Sequence, residues 1–108
     1  MKWISVPIRP ESLVRVQEAL AEVEVFRLTV SDVRGMVPGR GGQGPLFEEQ
    51  SRVLVEIAVN ESFVDPTLRA ILKAARSDPP QAEDGKIFVQ ELADAIRIRT
   101  GERGPEAI

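Results

Sequence analysis

Hydrophobic and polar residues alternate with two different periods in the first part of the chain. Ile4, Val6 and Ile8 recur at every second position, which predicts a β-strand with one apolar face. From Pro10 onward the apolar residues recur with the period of a helix. The stripe of this predicted helix, over residues 10–23, consists of Leu13, Val16, Leu20 and Val23.

Two further alternating stretches predict the next strands. Phe26, Leu28 and Val30 mark a second strand that ends near Gly35. The third strand is marked by Val53, Val55, Ile57 and Val59.

A second helix and a fourth strand follow. Asp65 is a favourable N-cap residue with Pro66 at the first helical position, so we predict that the helix begins there. Residues 86–92 complete the pattern as the fourth strand. The apolar stripe of the second helix consists of Leu68, Ile71, Leu72 and Ala75.

The resulting order of elements, βαββαβ, predicts an α+β, ferredoxin-like fold in a single domain over residues 1–108. In this fold a four-stranded antiparallel sheet carries both helices on one face. The other face would present Trp3, Pro7, Leu54 and Ala58, which is too much apolar surface to leave in water comfortably. We therefore expect the chain to self-associate.

Two stretches are rich in glycine or proline and show no core-facing period. Residues 36–51 include Pro38, Gly39 and Gly41, so we predict a long exposed loop there. This loop has little apolar surface to bury, and we expect it to be mobile until a ligand or partner engages it. Residues 77–86 are predicted to form a second loop.

The composition narrows the classes of function. The net charge of −3 lacks the basic surplus that nucleic-acid-binding proteins usually carry. Cysteine, histidine and tyrosine are absent, which excludes disulfides, thiol catalysis, histidine acid–base chemistry and the usual zinc ligands. No apolar run is long enough to span a membrane and no signal peptide precedes Met1, so we expect a cytoplasmic protein.

The C-terminal third contains the strongest candidate chemistry. Gly85 and Lys86 stand at the mouth of the predicted fourth strand, and Arg97 and Arg99 follow at alternate positions, which an extended backbone would put on one side. Three cations near a glycine turn suit a polyphosphate, because guanidinium and ammonium groups match phosphate oxygens. The alternative is an ordinary basic tail that faces solvent.

Several segments closely resemble the PII signal-transduction proteins. They are Met1–Ile4, Arg9–Pro10, Val16–Leu20, Leu28–Gly35, Asp84–Val89, Ile96–Glu102 and Glu106–Ile108. The resemblance covers nearly the whole chain and implies the ferredoxin-like fold, assembled as a homotrimer with ligand clefts between neighbouring subunits. It also implies a sensor, not an enzyme, that binds ATP, ADP or AMP in those clefts and has no prosthetic group.

The resemblance implies roles for individual residues in the nucleotide cleft. Lys86, Arg97 and Arg99 would contact the phosphates, and Gly85 would let backbone N–H groups approach them. Thr29 and Glu56 would lie on the nucleobase and ribose side. The resemblance adds to these nucleotide-binding positions Gly35, Ala58 and Arg52, the last of which replaces a lysine of the family.

The resemblance also implies that the chain signals through its loops. The stretch 36–51 corresponds to the family's partner-binding T-loop, 77–86 to its B-loop and 97–108 to its C-terminal loop. A small anion such as bicarbonate or 2-oxoglutarate would be the effector, and a membrane transporter or a metabolic enzyme of nitrogen or carbon metabolism the regulated partner. The T-loop residues expected to meet that partner are Arg40, Gln43, Leu46 and Phe47.

Both loops depart from the family pattern. The first is shorter and has no tyrosine, so the family's uridylylation site cannot exist. The family's glutamine, which helps to hold magnesium and 2-oxoglutarate, has no aligned equivalent, and Gln43 could replace it only if the loop folds back; we expect 2-oxoglutarate sensing to be lost. In the second loop Asp78 and Glu83 either repel a triphosphate more than a diphosphate or monophosphate, or simply face solvent.

An enzyme remains the alternative from another class. Asp32, Glu56, Asp84 and Glu91 are the carboxylates that metal-dependent nucleotide hydrolysis could use. Their spacing in the sequence does not form a recognisable acid–base pair.

Overall fold

The computed structural model describes all 108 residues, which form four β-strands and two α-helices. In chain order these are β1 (Lys2–Ile8), α1 (Leu13–Glu22), β2 (Thr29–Pro38), β3 (Phe47–Val59), α2 (Glu61–Ala75) and β4 (Phe88–Glu91). Three short 3₁₀-helices lie at Pro10–Ser12, Ala82–Asp84 and Gly104–Ala107.

The strands form one antiparallel sheet in the order β2–β3–β1–β4. Every second residue of the central strands is buried beneath the two helices, as the alternation in the sequence predicts. The predicted βαββαβ order and ferredoxin-like fold are confirmed. The core consists mainly of Ile4, Val6, Ile8, Val16, Leu20, Val53, Val55, Ile57, Val59 and Ile71.

The residues that alternate with the core positions form what we call the open face of the sheet, which no helix covers. Trp3 lies opposite Ala58 across the β1–β3 ladder, and Pro7 lies opposite Leu54. All four side chains are only half-buried in the single chain. The apolar open face predicted from the sequence is therefore present.

The second strand differs from its prediction at both ends. Phe26 and Leu28 precede β2, and the side chain of Phe26 is 72% exposed. At the other end β2 continues past Gly35 to Pro38, and β3 begins at Phe47. The ladder pairs Met36 with Glu49 and Pro38 with Phe47, so half of the predicted loop over 36–51 is regular strand.

We call the segment Val33–Arg52 the hairpin arm, because its two strands pair only with each other. The partner of β3 in the centre of the sheet, β1, reaches only as far as Val53. Ion pairs join Arg34 to Glu49 at 3.0 Å across the two strands, and Arg40, just beyond β2, to Glu48 of β3 at 3.2 Å. Neither face of the arm is buried, so no apolar period revealed these strands in the sequence.

The second helix begins at Glu61, one turn before the predicted start at Asp65. Asn60 has extended backbone and is the N-cap residue, while Pro66 lies inside the helix. A proline there removes one hydrogen bond, to the carbonyl of Ser62 near the helix start. The buried side chains of Thr67, Ala70 and Ile71 anchor the helix beyond that point.

The hairpin arm gives the chain an elongated shape. The radius of gyration is 16.1 Å, against about 13 Å expected for a globular chain of this length. The principal extents are 56 × 26 × 19 Å. Neither α-helix is long and apolar enough to cross a membrane.

Candidate functional site

Five of the predicted nucleotide-binding residues lie along the open face of the β2–β3 pair. Thr29 is the direct ladder partner of Glu56, and Gly35 pairs with Gln50. Arg52 and Ala58 alternate with buried valines of β3, so their side chains share this face. The sheet therefore aligns a hydroxyl, a carboxylate and a guanidinium in one row.

Arg52 lies at the base of the hairpin arm. Its guanidinium donates hydrogen bonds to the Gln50 side-chain oxygen at 2.7 Å and to the Ser51 carbonyl at 2.8 Å, and it forms no ion pair. A Cβ at Gly35 would make an ordinary 3.7 Å contact with the Arg52 side-chain stem, so the two residues are close neighbours in this row.

Gln50 is a candidate that the sequence reasoning missed. Its amide lies beside Arg52, whereas Gln43 lies in the exposed turn at the far end of the arm. The signal was available, because Gln50 continues the alternation of Arg52, Leu54 and Glu56 once β3 is extended to Phe47.

The second loop is held by a carboxylate that points inward. Asp84 forms an ion pair with Arg9 at 2.9 Å and accepts a hydrogen bond from the Ser77 hydroxyl at 2.5 Å. Hydrogen bonds from Ser77 and from the Gln81 backbone keep the pKa of Asp84 far below its usual range. By contrast, Asp78 and Glu83 are exposed and make no ion pair.

Gly85 and Lys86 follow directly after this carboxylate. Gly85 has φ +87°, in the region that favours glycine, and a Cβ there would lie 3.3 Å from the Pro7 carbonyl oxygen. The Lys86 side chain is exposed and has no carboxylate partner. Lys86, Asp84 and Arg76 edge an apolar cavity of about 460 Å³ between α2 and the start of β4.

Beyond Arg97 the C-terminal segment is a turn, and not the extended backbone that would put Arg97 and Arg99 on one side. The chain turns back at Ile98, and the Gly101 N–H donates to the Arg97 carbonyl at 2.7 Å. Arg97 forms an ion pair with Glu102 at 3.2 Å. Arg99 stands exposed on the turn without an ion pair, next to a fully exposed Ile98.

A single chain does not bring the three predicted phosphate-binding cations together. Lys86 lies at the Pro7 end of β1, whereas Arg97 lines a cavity of about 350 Å³ near Asn60 at the other end. The length of β1 separates the two by about 15 Å or more.

The predicted partner-binding residues gather at the turn of the hairpin arm. Arg40 and Gln43 are exposed, and Leu46 is 85% exposed. Phe47 is 60% exposed at the first position of β3. The turn is closed by a hydrogen bond of 2.8 Å from the Gly39 N–H to the Leu46 carbonyl. The arm thus carries two large apolar side chains at its far end.

The carboxylates proposed for the hydrolase alternative do not assemble into one centre. Glu91 forms an ion pair with Lys2, and Asp84 is occupied by Arg9 and Ser77. The chain contains no group of three acidic side chains placed to hold a metal ion.

Comparisons with protein families and with known proteins agree with one another over nearly the whole length of the chain. The family model described as "Nitrogen regulatory protein P-II" matches residues 1–102. The nitrogen regulatory protein GlnK1 of Methanosarcina mazei is 43% identical over 114 aligned positions, which cover 100% of this chain and 97% of that protein. The nitrogen regulatory protein P-II of Rhodospirillum rubrum is 36% identical, and the alignment covers 100% of both chains.

A solved structure has the same architecture. The crystal structure of Arabidopsis thaliana PII bound to citrate superposes with a TM-score of 0.81 at 34% sequence identity. The superposition covers 98% of this chain and 87% of that one.

Proposed function

Because the chain belongs to the nitrogen regulatory protein P-II family of signal-transduction proteins, we propose that it is a sensor of adenine nucleotides. It binds ATP, ADP or AMP in clefts between neighbouring copies and regulates a partner protein through the hairpin arm. The observation that carries this proposal is that Lys86, Arg99 and Arg52 are among the eight basic side chains that form no ion pair. Their charges are therefore available to an anionic ligand.

The separation of Lys86 from Arg97 supports a cleft that two copies complete. In this arrangement one copy supplies the Gly85 backbone and Lys86, and its neighbour supplies Arg97 and Arg99. The half-buried apolar open face, which includes Trp3, would be covered by the same association. We propose a homotrimer, as the family resemblance implies.

The row on the open face supports a role in nucleobase, ribose and effector binding. Thr29 and Glu56, as ladder partners, offer a hydroxyl and a carboxylate to the base and ribose. Gly35 and Ala58 leave room in the same row, where longer side chains would project. Arg52 and Gln50 offer a guanidinium and an amide to a small carboxylate or bicarbonate effector.

The tricarboxylate citrate is bound to the Arabidopsis protein, which supports anion binding on this fold. The sequence argument against 2-oxoglutarate depended on the missing glutamine of the first loop. Gln50 supplies an amide close to Arg52, so 2-oxoglutarate returns as an effector to be tested beside bicarbonate.

The far end of the hairpin arm supports contact with a regulated protein. Leu46 and Phe47 are too exposed to stabilise this chain and suit an apolar recess on a partner, while Arg40 and Gln43 add polar contacts. A membrane transporter or a metabolic enzyme would be such a partner. The chain acts without catalysis in this proposal, and no specific observation favours nucleotide hydrolysis.

Calorimetric titration tests the proposal directly. ATP, ADP and AMP are each titrated into the protein, with and without 2-oxoglutarate or bicarbonate. We expect saturable binding of at least one nucleotide with one site per chain. Absence of binding for all three nucleotides would overturn the proposal, and steady phosphate release from ATP would replace it with the hydrolase alternative.

A further inference from the structure

Asp84 lies at the centre of a hydrogen-bond cluster that none of the roles above explains. One carboxylate oxygen accepts hydrogen bonds from Arg9 at 2.9 Å and from the Ser77 hydroxyl at 2.5 Å. The other accepts from the backbone N–H groups of Ser77 at 3.1 Å and of Gln81 at 3.0 Å. Four donors from three parts of the chain therefore converge on one side chain.

These donors come from elements that are far apart in the sequence. Arg9 directly follows β1, Ser77 lies just after α2, and Gln81 belongs to the second loop. The side chains of Arg9 and Asp84 are only 19% and 15% exposed. The carboxylate therefore connects the end of β1 to the end of α2 and draws the second loop against both.

The next two residues are those assigned to the phosphates. Gly85 forms a turn with a positive φ beside the Pro7 carbonyl oxygen, and Lys86 follows it shortly before β4 begins. Because Asp84 is the residue immediately before this turn, its four hydrogen bonds hold the backbone from which Gly85 and the Lys86 side chain extend. Without the carboxylate, the N–H groups of Ser77 and Gln81 would lose their acceptor, and the loop could leave this conformation.

We propose that Asp84 is a positioning residue for phosphate binding, acting through Gly85 and Lys86 without touching the ligand. This inference rests on the proposed function, since it concerns the same site. The negative charge of Asp84 does not oppose a phosphate, because Arg9 neutralises it and donors occupy both oxygens. In this proposal the Arg9–Asp84 ion pair holds the turn at Gly85 and Lys86 in the conformation that binds phosphate.

The test compares Asp84→Asn with Glu83→Gln, which removes the adjacent, exposed and unpaired carboxylate. Affinity for ADP is measured by calorimetry, and affinity for adenosine by competition with labelled ADP. We expect Asp84→Asn to weaken ADP binding about tenfold and to leave the affinity for adenosine unchanged. The unfolding midpoint of the Glu83→Gln control should be unchanged. An equal loss for ADP and adenosine would show a general structural role and overturn the inference.

A second pair of variants covers the case in which Asp84→Asn does not fold. Ser77→Ala removes one donor to the carboxylate, whereas Ser77→Thr keeps the hydroxyl. We expect ADP binding to weaken in the alanine variant and to return in the threonine variant; equal affinities would overturn the inference. If the unaltered protein binds no nucleotide, the proposed function itself fails. If it binds and Asp84→Asn binds equally well, only the inference fails.

Discussion

The guanidinium of Arg97 lies 3.2 Å from the Glu102 carboxylate and donates a second hydrogen bond to the Glu106 carbonyl. Arg97 is therefore already satisfied within the C-terminal segment. Arg99, two residues later, has no such partner and stands on the exposed turn. Arg97 and Arg99 look equivalent in the sequence, but they differ in the hydrogen bonds and ion pairs that each must break to bind a phosphate.

Substitution of Arg99 by alanine should weaken ADP binding about tenfold or more, since a charge-assisted hydrogen bond to the phosphates is lost. Arg97→Ala should cost less, because a phosphate must first displace Glu102. Calorimetry measures both, and Arg69→Ala serves as a control on the outer surface of α2. The site lies elsewhere if Arg99→Ala and Lys86→Ala both bind ADP with unchanged affinity.

Self-association should bury the open face around Trp3, the only tryptophan in the chain. We expect sedimentation to give a trimer and tryptophan emission to shift to the blue relative to a dissociated variant. Leu54→Glu introduces an unpaired charge into this face and should dissociate the assembly. Val14→Glu, on the exposed surface of α1, is the matched control. A stable monomer at micromolar concentration would contradict the expected assembly.

The pKa of Asp94 is lowered by its hydrogen bond with Arg103 and by backbone N–H donors. A carboxyl whose pKa is lower in the folded state stabilises the fold above its unfolded pKa and loses that contribution as the pH falls. Asp94→Asn should therefore lower the urea midpoint at neutral pH, and the difference should shrink below about pH 4. Glu106→Gln, an unpaired carboxylate in the same segment, is the control. A difference that is independent of pH would contradict this assignment.

The turn of the hairpin arm depends on Gly39, where a Cβ would overlap the Pro45 carbonyl oxygen. Gly39→Ala should therefore open the turn, whereas a Cβ at Gly44 would make only an ordinary 3.7 Å contact with the Gly41 carbonyl oxygen. Amide hydrogen exchange measures this: we expect faster exchange around Leu46 in Gly39→Ala and no change in Gly44→Ala.

In the unaltered protein, rapid exchange over 40–45 that slows with ligand or partner would support a signalling segment, and strong protection without either would reject it.

The parts of the fold that could be predicted from the sequence are those where burial imposes a period. Ile4, Val6 and Ile8 alternate because only one face of β1 meets the helices. Met36 and Phe47 could not reveal their strands, because both side chains are exposed and neither face of the hairpin arm is buried.

At the start of α2 a local sequence signal gave the wrong boundary. The pair Asp65 and Pro66 imitates the start of a helix. The actual N-cap, Asn60, makes no side-chain hydrogen bond to the helix and donates its amide N–H to the Pro105 carbonyl at 3.0 Å. For the site, composition and resemblance identified the cations, but only the fold shows that Lys86 and Arg97 lie at opposite ends of β1.

The unsupported length of the hairpin arm makes it a lever. Six paired residues on each strand extend beyond the last residue that β1 supports, and they carry the turn about 20 Å away from Arg52. A rotation of about 10° at the base of the arm, beside Arg52, would move Leu46 and Phe47 by about 3.5 Å, more than enough to engage or release an apolar recess. If the arm rotates at Arg52 and Gly35, where the support of β1 ends, a small adjustment of that row would become a large movement at Leu46 and Phe47.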